Sequence, residues 1–272
     1  MTHAGQFDGA PPEARELLEL ARSLARDAGR VHAEGRAEGL RVETKASPTD
    51  LVSQVDRRVE TLIAERLRAE RPGDALFAEE GSRVEGSSGV RWVVDPLDGT
   101  TSYVYDYPCF AASIGVEVDG ETVVGVILDS ATGRLFSAVK GFGAECDGRP
   151  LRAREPQGLA RALVATGFSY DAAQRARQGA VVASLLPRVR DIRRGGAAAV
   201  DLTHVASGRV DAYYELDLSP WDYTAGVLIA REAGAAVELR PAAHGRGPAV
   251  VAAHPALIED LVGLLTEAGA LA

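Results

Sequence analysis

The stretch WVVDPLDGTTS, residues 92–102, restricts this chain more than any other. Val93 and Val94 read as the end of a buried strand, and two aspartates follow at once. Pro96 presets φ for a tight turn and Gly99 permits close backbone approach, so Asp95 and Asp98 can point into one space with the Leu97 carbonyl between them. Two carboxylates about 4 Å apart repel by roughly 4 kcal/mol at an effective dielectric of about 20. Glu79 and Glu80, at the end of the preceding strand-like run ALFAEE, add to that repulsion. Arginine or lysine could relieve it, but neither occurs between Arg91 and Arg134. A set of oxygen ligands without His or Cys suits a hard ion, Mg²⁺ before Zn²⁺. A DPxDG run standing alone is also what an ordinary Asp-rich turn looks like.

A second anomaly lies upstream. The spacing predicts a helix from about Leu51 to Ala69, stopped by Pro72 and Gly73, with Val52, Val55, Val59, Leu62, Ile63 and Leu67 on one apolar arc. Asp56 falls inside that arc. A short buried carboxylate needs a cation, hydrogen-bond donors or a functional cavity, so Asp56 is either a satisfied structural acid or part of a site.

The remaining pattern divides the chain near residue 150. Pro11 and Pro12 open a helix with Leu17, Leu20, Leu24, Ala28 and Val31 on its core face. FAASIGVEV, ETVVGVIL, RLFSAV and GAECDG are joined by Gly- and Asp-bearing turns and predict an antiparallel meander. From Leu151 strands and helices alternate, with strands at ALVATGF, DAYYEL, AAVELR and AVVAA, and helices near Ala173–Arg190, Ala197–Ser207, Trp221–Ala233 and Pro255–Leu265. That alternation predicts an α/β half, giving an N-terminal α+β half (1–150) that carries metal ligands and a C-terminal half (151–272) that binds substrate.

Several function classes are disfavoured. A net charge of −9 with scattered arginines argues against a general nucleic-acid surface. No apolar run approaches the roughly 18 residues of a membrane span, and the N-terminal stretch lacks the order of a signal peptide, so a cytoplasmic protein is expected. Cys109 and Cys146 are too few for a disulfide framework and read as buried small hydrophobes. The five histidines, His3, His32, His204, His244 and His254, are dispersed and read as surface or core residues.

In order along the chain, TKASPTDLVSQVD, FAEEGS, WVVDPLDGTTS, RRGGAAAVDL and YYELDLSPWDYTAG closely resemble the inositol monophosphatase family of Mg²⁺-dependent, lithium-sensitive phosphatases. The likeness runs from about residue 13 to 265. It implies a layered α-β-α-β-α sandwich, an active site between the halves, and a homodimer.

By matching position, the resemblance implies that Glu79, Asp95 and the Leu97 carbonyl hold one Mg²⁺, that Asp95, Asp98 and Asp222 hold a second, and that Glu79 helps hold a third. Asp56 and Thr100 would activate the attacking water, with Glu80 as an outer acceptor and Lys45 on a covering loop. Gly99, Thr100, Gly196, Ala197, Ala198, Glu215 and Asp222 would contact the substrate, a small phosphate monoester. A glycine-led helix start favours an oxyanion through its free N–H groups, and Glu215 would accept hydrogen bonds from substrate hydroxyls. Departures from the family pattern include Ser53-Gln54, Ser102-Tyr103 and Ala197, where many relatives carry Thr or Ser. They leave the metal core intact and bear on substrate choice. The activity implied is hydrolysis of inositol 1-phosphate and related polyol phosphates. Fructose-1,6-bisphosphatase, 3'-phosphoadenosine 5'-phosphatase or histidinol phosphatase activity, and a regulatory role on transcription machinery, stand as alternatives.

Overall fold

The computed structural model describes residues 6–38, 42–44, 51–245 and 247–272. Lys45 lies outside the described residues. The chain begins with α1 (Pro12–Glu38), an antiparallel strand pair β1 (Val42–Thr44) and β2 (Leu51–Ser53), and α2 (Gln54–Glu70). Next come β3 (Ala75–Ala78), β4 (Arg83–Val84), β5 (Val90–Asp98), the short helix α3 (Thr100–Val104), β6 (Ala111–Val118), β7 (Glu121–Asp129), β8 (Arg134–Val139), β9 (Ala144–Cys146) and β10 (Arg149–Pro150). Among the described residues these strands make one eight-stranded sheet in the order β10-β9-β8-β7-β6-β5-β3-β4. It is antiparallel except where β3 runs parallel to β5.

The later segment supplies β11 (Leu163–Thr166), α4 (Ala172–Leu185), β12 (Asp191–Arg193), α5 (Ala198–Ala206), β13 (Ala212–Glu215), α6 (Pro220–Glu232), β14 (Ala236–Pro241), β15 (Pro248–Ala253) and α7 (Pro255–Glu267). Its sheet has the order β12-β11-β13-β15-β14, with β12, β11 and β13 mutually parallel and β15 antiparallel to its neighbours.

Four buried clusters show how the layers stack. Leu17, Leu24, Val55 and Ile63 of α1 and α2 pack with Trp92 and Ile114 on one face of the large sheet. Ile127 and Phe136 on its other face pack with Val200 of α5 and Ile229 of α6. The far sides of those two helices, through Leu202 and Val227, meet Tyr213 and Val250 of the second sheet. Val181 of α4 and Leu261 of α7 close the outer face with Val164 and Val251. The result is the α-β-α-β-α sandwich. The division near residue 150 falls between β10 and β11, yet α5 and α6 share a core with each sheet.

Two strand glycines set one of these interfaces. Gly115 of β6 and Gly125 of β7 are register partners. A Cβ on Gly115 would come within 2.5 Å of Thr224, and one on Gly125 within 2.7 Å of the Ala225 carbonyl. Glycine at both positions lets the first turns of α6 lie directly on the sheet.

The helix expected from Leu51 starts at Gln54, because Leu51–Ser53 pair with Val42–Thr44 and Ser53 caps the helix. The segment near Ala173–Arg190 gives up its helix at Leu185, just before Pro187. The short strands β1, β2 and β12 and the helix α3 were not anticipated by the periodicity.

Candidate active site

The local backbone around Asp95 explains why two acids meet there. In β5 the register against β6 shifts between Asp95, opposite Ser113, and Asp98, opposite Ala111, so β5 carries an extra residue. Pro96 has no N–H to lose to the ladder, and such residues belong in a bulge. The kink brings Asp95, the Leu97 carbonyl and Asp98 to one end of the strand. Gly99 follows with φ +84°, and a Cβ there would approach the Cys109 carbonyl to 2.6 Å. Only glycine fits both requirements.

Each of four aspartates is held by a backbone amide through one carboxylate oxygen. Leu97 N–H donates to Asp95 Oδ1 at 2.9 Å, and Ala199 N–H, at the start of α5, donates to Asp98 Oδ2 at 2.7 Å. Ser53 N–H donates to Asp56 Oδ2 at 2.9 Å, and Ser219 N–H donates to Asp222 Oδ2 at 2.6 Å. The last two are capping boxes, with Ser53 before α2 and Ser219 before α6 as the capping residues. Asp56 is fully buried, and the Thr100 hydroxyl lies 2.9 Å from its Oδ1 and 3.1 Å from the Leu97 carbonyl, sharing one proton between two acceptors.

Burial and crowding raise the proton affinity of Asp95, Asp98 and Asp56. Asp95 and Asp98 are both raised well above the ordinary carboxylate range, first by burial and then by neighbouring carboxylates: Glu79, Asp98 and Asp222 for the former, Asp222, Glu215 and Glu79 for the latter. Asp56 is raised by burial, against which its bonds to Ser53 and Thr100 act. Among the described residues no three His, Cys, Asp or Glu side chains are drawn into a closed metal-binding group. The donor chemistry nevertheless fits a hard divalent cation: crowded carboxylates with raised proton affinity, a carbonyl oxygen between two of them, and neither nitrogen nor sulfur.

A cavity of about 370 Å³ opens beside these acids between the two sheets. Glu79, Asp98, Gly99, Gly196, Ala198, Glu215 and Asp222 line it, joined by Phe168, Tyr170 and Arg194. Asp95, Thr100 and Asp56 sit behind that wall, and Glu80 is outside the lining. Ala197 is buried with Cys109, Ala111 and Ala199, and its methyl faces that core rather than the cavity. Glu215 stands at the end of β13, where burial pushes its carboxyl up to about 7 and the Tyr213 hydroxyl donates to it at 2.9 Å. Gly167, opposite, leaves room for that carboxylate: a Cβ there would collide with it.

Two contributors escaped the sequence reading. Glu60, buried on α2 one turn after Asp56, accepts the backbone N–H groups of Glu80 and Ser82, each at 2.7 Å, and so fixes the turn that presents Glu79. Its position on the arc of Asp56 was the available signal. His32 on α1 is buried; its Nε2–H donates to the Pro96 carbonyl at 2.9 Å while Nδ1 faces the Ser130 hydroxyl at 2.8 Å, bracing the bulge from behind.

A two-sheet sandwich that brings Glu79, Asp98, Glu215, Asp222 and a helix start to one cavity, backed by Asp95 and Asp56, is the architecture of a phosphate-ester hydrolase. Residues 13–266 match the profile of the inositol monophosphatase family, and the chain belongs to that family. It is 43% identical over 249 residues to "Inositol-1-monophosphatase" of Mycobacterium leprae, covering 88% of this chain and 86% of the relative. It is 39% identical over 224 residues to "Nus factor SuhB" of Escherichia coli K12, covering 81% and 84%. The solved structure of "Mycobacterium tuberculosis SuhB" superposes with a TM-score of 0.83 at 39% identity, covering 96% of this chain and 100% of that one.

Proposed function

We propose that this enzyme is a Mg²⁺-dependent phosphomonoesterase that hydrolyses inositol 1-phosphate and related polyol phosphates to the polyol and inorganic phosphate. The observation that carries this reading is the convergence of Asp95, Asp98, Glu79 and Asp222 beside the Asp56–Thr100 hydrogen bond. Glu79, Asp95 and the Leu97 carbonyl would hold one ion and Asp95, Asp98 and Asp222 another, with a third leaning on Glu79. Two or three Mg²⁺ ions, when bound, supply charge neutralisation for the phosphate oxygens and acidify a nearby water.

The chain's own groups do the rest. Thr100 and Asp56 orient the attacking water, and Asp56 Oδ1 receives its proton through the Thr100 hydroxyl. The Ala197 and Ala198 N–H groups, which open α5 after Gly196 ahead of the Ala199 N–H bonded to Asp98, would face the phosphate from the other side. Glu215 accepts hydrogen bonds from the polyol hydroxyls, and Phe168 and Tyr170 exclude water from its outer edge.

The M. leprae relative's name supports inositol phosphate as the substrate class. The E. coli relative's name supports a second reading, in which the chain also serves a transcription complex; retained acids favour catalysis, since a partner-only protein has no use for them. Assay of a panel of phosphate esters with Mg²⁺, then with excess EDTA, tests the proposal. Turnover of inositol 1-phosphate that requires Mg²⁺ and is inhibited by millimolar Li⁺ is expected; full turnover in EDTA would sink it. A homodimer and a cytoplasmic location belong to the same proposal; no helix among the described residues is long and apolar enough to cross a membrane.

A further inference from the structure

The three parallel strands β11, β12 and β13 have two ends. Their C-terminal ends deliver Gly167, Arg194 and Glu215 to the carboxylate-lined cavity. Around their N-terminal ends a separate cavity of about 200 Å³ is lined by Arg154, Arg161, Arg190 and Arg209, with Gln157 and Asp211. Four guanidinium groups thus face one carboxylate, in a protein whose net charge is −9.

That carboxylate is largely committed elsewhere. Asp211 Oδ2 accepts the Leu163 N–H at 2.8 Å, and its Oδ1 stands 4.0 Å from Arg154 Nε. The other arginines meet a carbonyl, an amide and an imidazole: Arg190 donates from Nε to the Arg161 carbonyl at 3.0 Å, Arg161 donates to Gln157 at 3.0 Å, and Arg209 Nη1 lies 3.3 Å from His204 Nε2. Each contact uses one nitrogen of a group that carries five donors. The groove of about 690 Å³ between α1 and α2 is an internal contrast. It too is lined by four arginines, Arg30, Arg57, Arg58 and Arg66, but each is ion-paired, to Asp27, Glu43, Glu34 and Asp27 respectively. Charge is balanced there and unbalanced at the strand ends.

We propose that the cavity at the N-terminal ends of β11, β12 and β13 binds a compact polyphosphate, with the guanidinium forks gripping its oxygens. Planar forks match phosphate oxygens in pairs, and an excess of positive charge in a small concavity suits a short, highly charged anion. The arginines converge round a hole rather than lining a stripe, and the acidic remainder of the surface repels an extended polyanion, which disfavours nucleic acid.

The test uses pyrophosphate as probe on the full chain in EDTA without divalent cations, a condition in which the acids of the other cavity repel anions. Calorimetric titration and the thermal midpoint are read for wild type, for Arg161→Gln/Arg190→Gln, for Arg209→Gln and for Asp98→Asn. We expect one pyrophosphate per chain and a raised midpoint in wild type and Asp98→Asn, with at least about tenfold weaker binding in the double variant and a smaller loss in Arg209→Gln. Undiminished affinity in both arginine variants, or no binding by wild type at about 10 mM, would overturn the proposal. So would a single-stranded oligoribonucleotide that binds the same arginines more tightly than pyrophosphate.

Discussion

Asp95 and Asp98 reach the carboxylate-lined cavity from a bulged strand inside the eight-stranded sheet, whereas Glu215 and Gly196 reach it from a strand end and a helix start of the second sheet. On the first side Asp56, Asp95 and Asp98 are each tied to a backbone amide, and the elements behind them are braced again by Glu60 and His32. On the second side Glu215 has the Tyr213 hydroxyl and the space left by Gly167. On the proposed function, reaction chemistry tolerates no drift of crowded charges, which accounts for an over-determined first wall; selection of a polyol would need only a few placed acceptors, so the second could vary.

Breaking the first wall should have the largest effect. Asp95→Asn alters the acid shared by both proposed ion positions, and kcat is expected to fall by at least about 10³-fold, roughly 4 kcal/mol. A variant within tenfold of wild type would remove Asp95 from the centre of the wall.

The brace behind the same wall predicts an acid sensitivity. Burial lowers the His32 pKa from 6.5 to about 4, opposed by its bond to the Pro96 carbonyl and aided by Arg36; Ser130, Tyr103 and Phe110 also face the ring. A depressed folded-state pKa means that the unfolded chain takes up the proton first. Stability is therefore fully present above about pH 6.5 and falls towards pH 4, by about 3 kcal/mol in all. Denaturant unfolding from pH 7 to 4 should show this loss in wild type and a shallower one in His32→Gln; parallel curves would absolve His32.

Asp56→Asn probes whether the wall's deepest acid serves the water or the fold. Catalysis should drop by about 10²-fold in kcat with KM little changed, while unfolding stays cooperative. A KM effect as large as the kcat effect would move Asp56 to substrate binding.

The smallest effects belong to the second wall. Ala197→Thr puts a larger side chain into the core shared with Cys109 and Ala111, so a loss of about 1–3 kcal/mol in stability is expected, with an unchanged ratio of kcat/KM for inositol 1-phosphate over glycerol 2-phosphate. Glu215→Gln should instead lower that ratio by about fivefold, near the net worth of one hydrogen bond. If Ala197→Thr changes the ratio and Glu215→Gln does not, the two residues exchange roles.

The contrast between the walls also governed what the sequence disclosed. Asp95 and Asp98 are legible because strand, turn and ligands are contiguous, and Asp56 because its helix arc is otherwise apolar. Asp222, alone, resembles any acid in a first helical turn and gains meaning only beside a distant DPLDGT. Ser53 was absorbed into the helix it caps, since the capping pair Ser53–Asp56 satisfies the helical spacing as well. Glu60 and His32 act on backbone groups 20 and 64 residues away, and no local pattern encodes such a partner. Ala197 could be matched to a family position, but the direction of its methyl is a property of the packed core.

The amide ties on Asp56, Asp95, Asp98 and Asp222 carry a consequence for how such sites are dissected. A carboxylate has two equivalent oxygens, so one can hold the chain in place while the other faces the reaction. A carboxamide has a single acceptor and, beside it, two protons. Asparagine at any of these positions must either keep the backbone bond and present N–H where an acceptor was, or turn over and leave a buried amide unanswered. The usual charge-neutralising substitution is therefore also a reversal of hydrogen-bond polarity, and which half of the side chain turns inward will differ among the four.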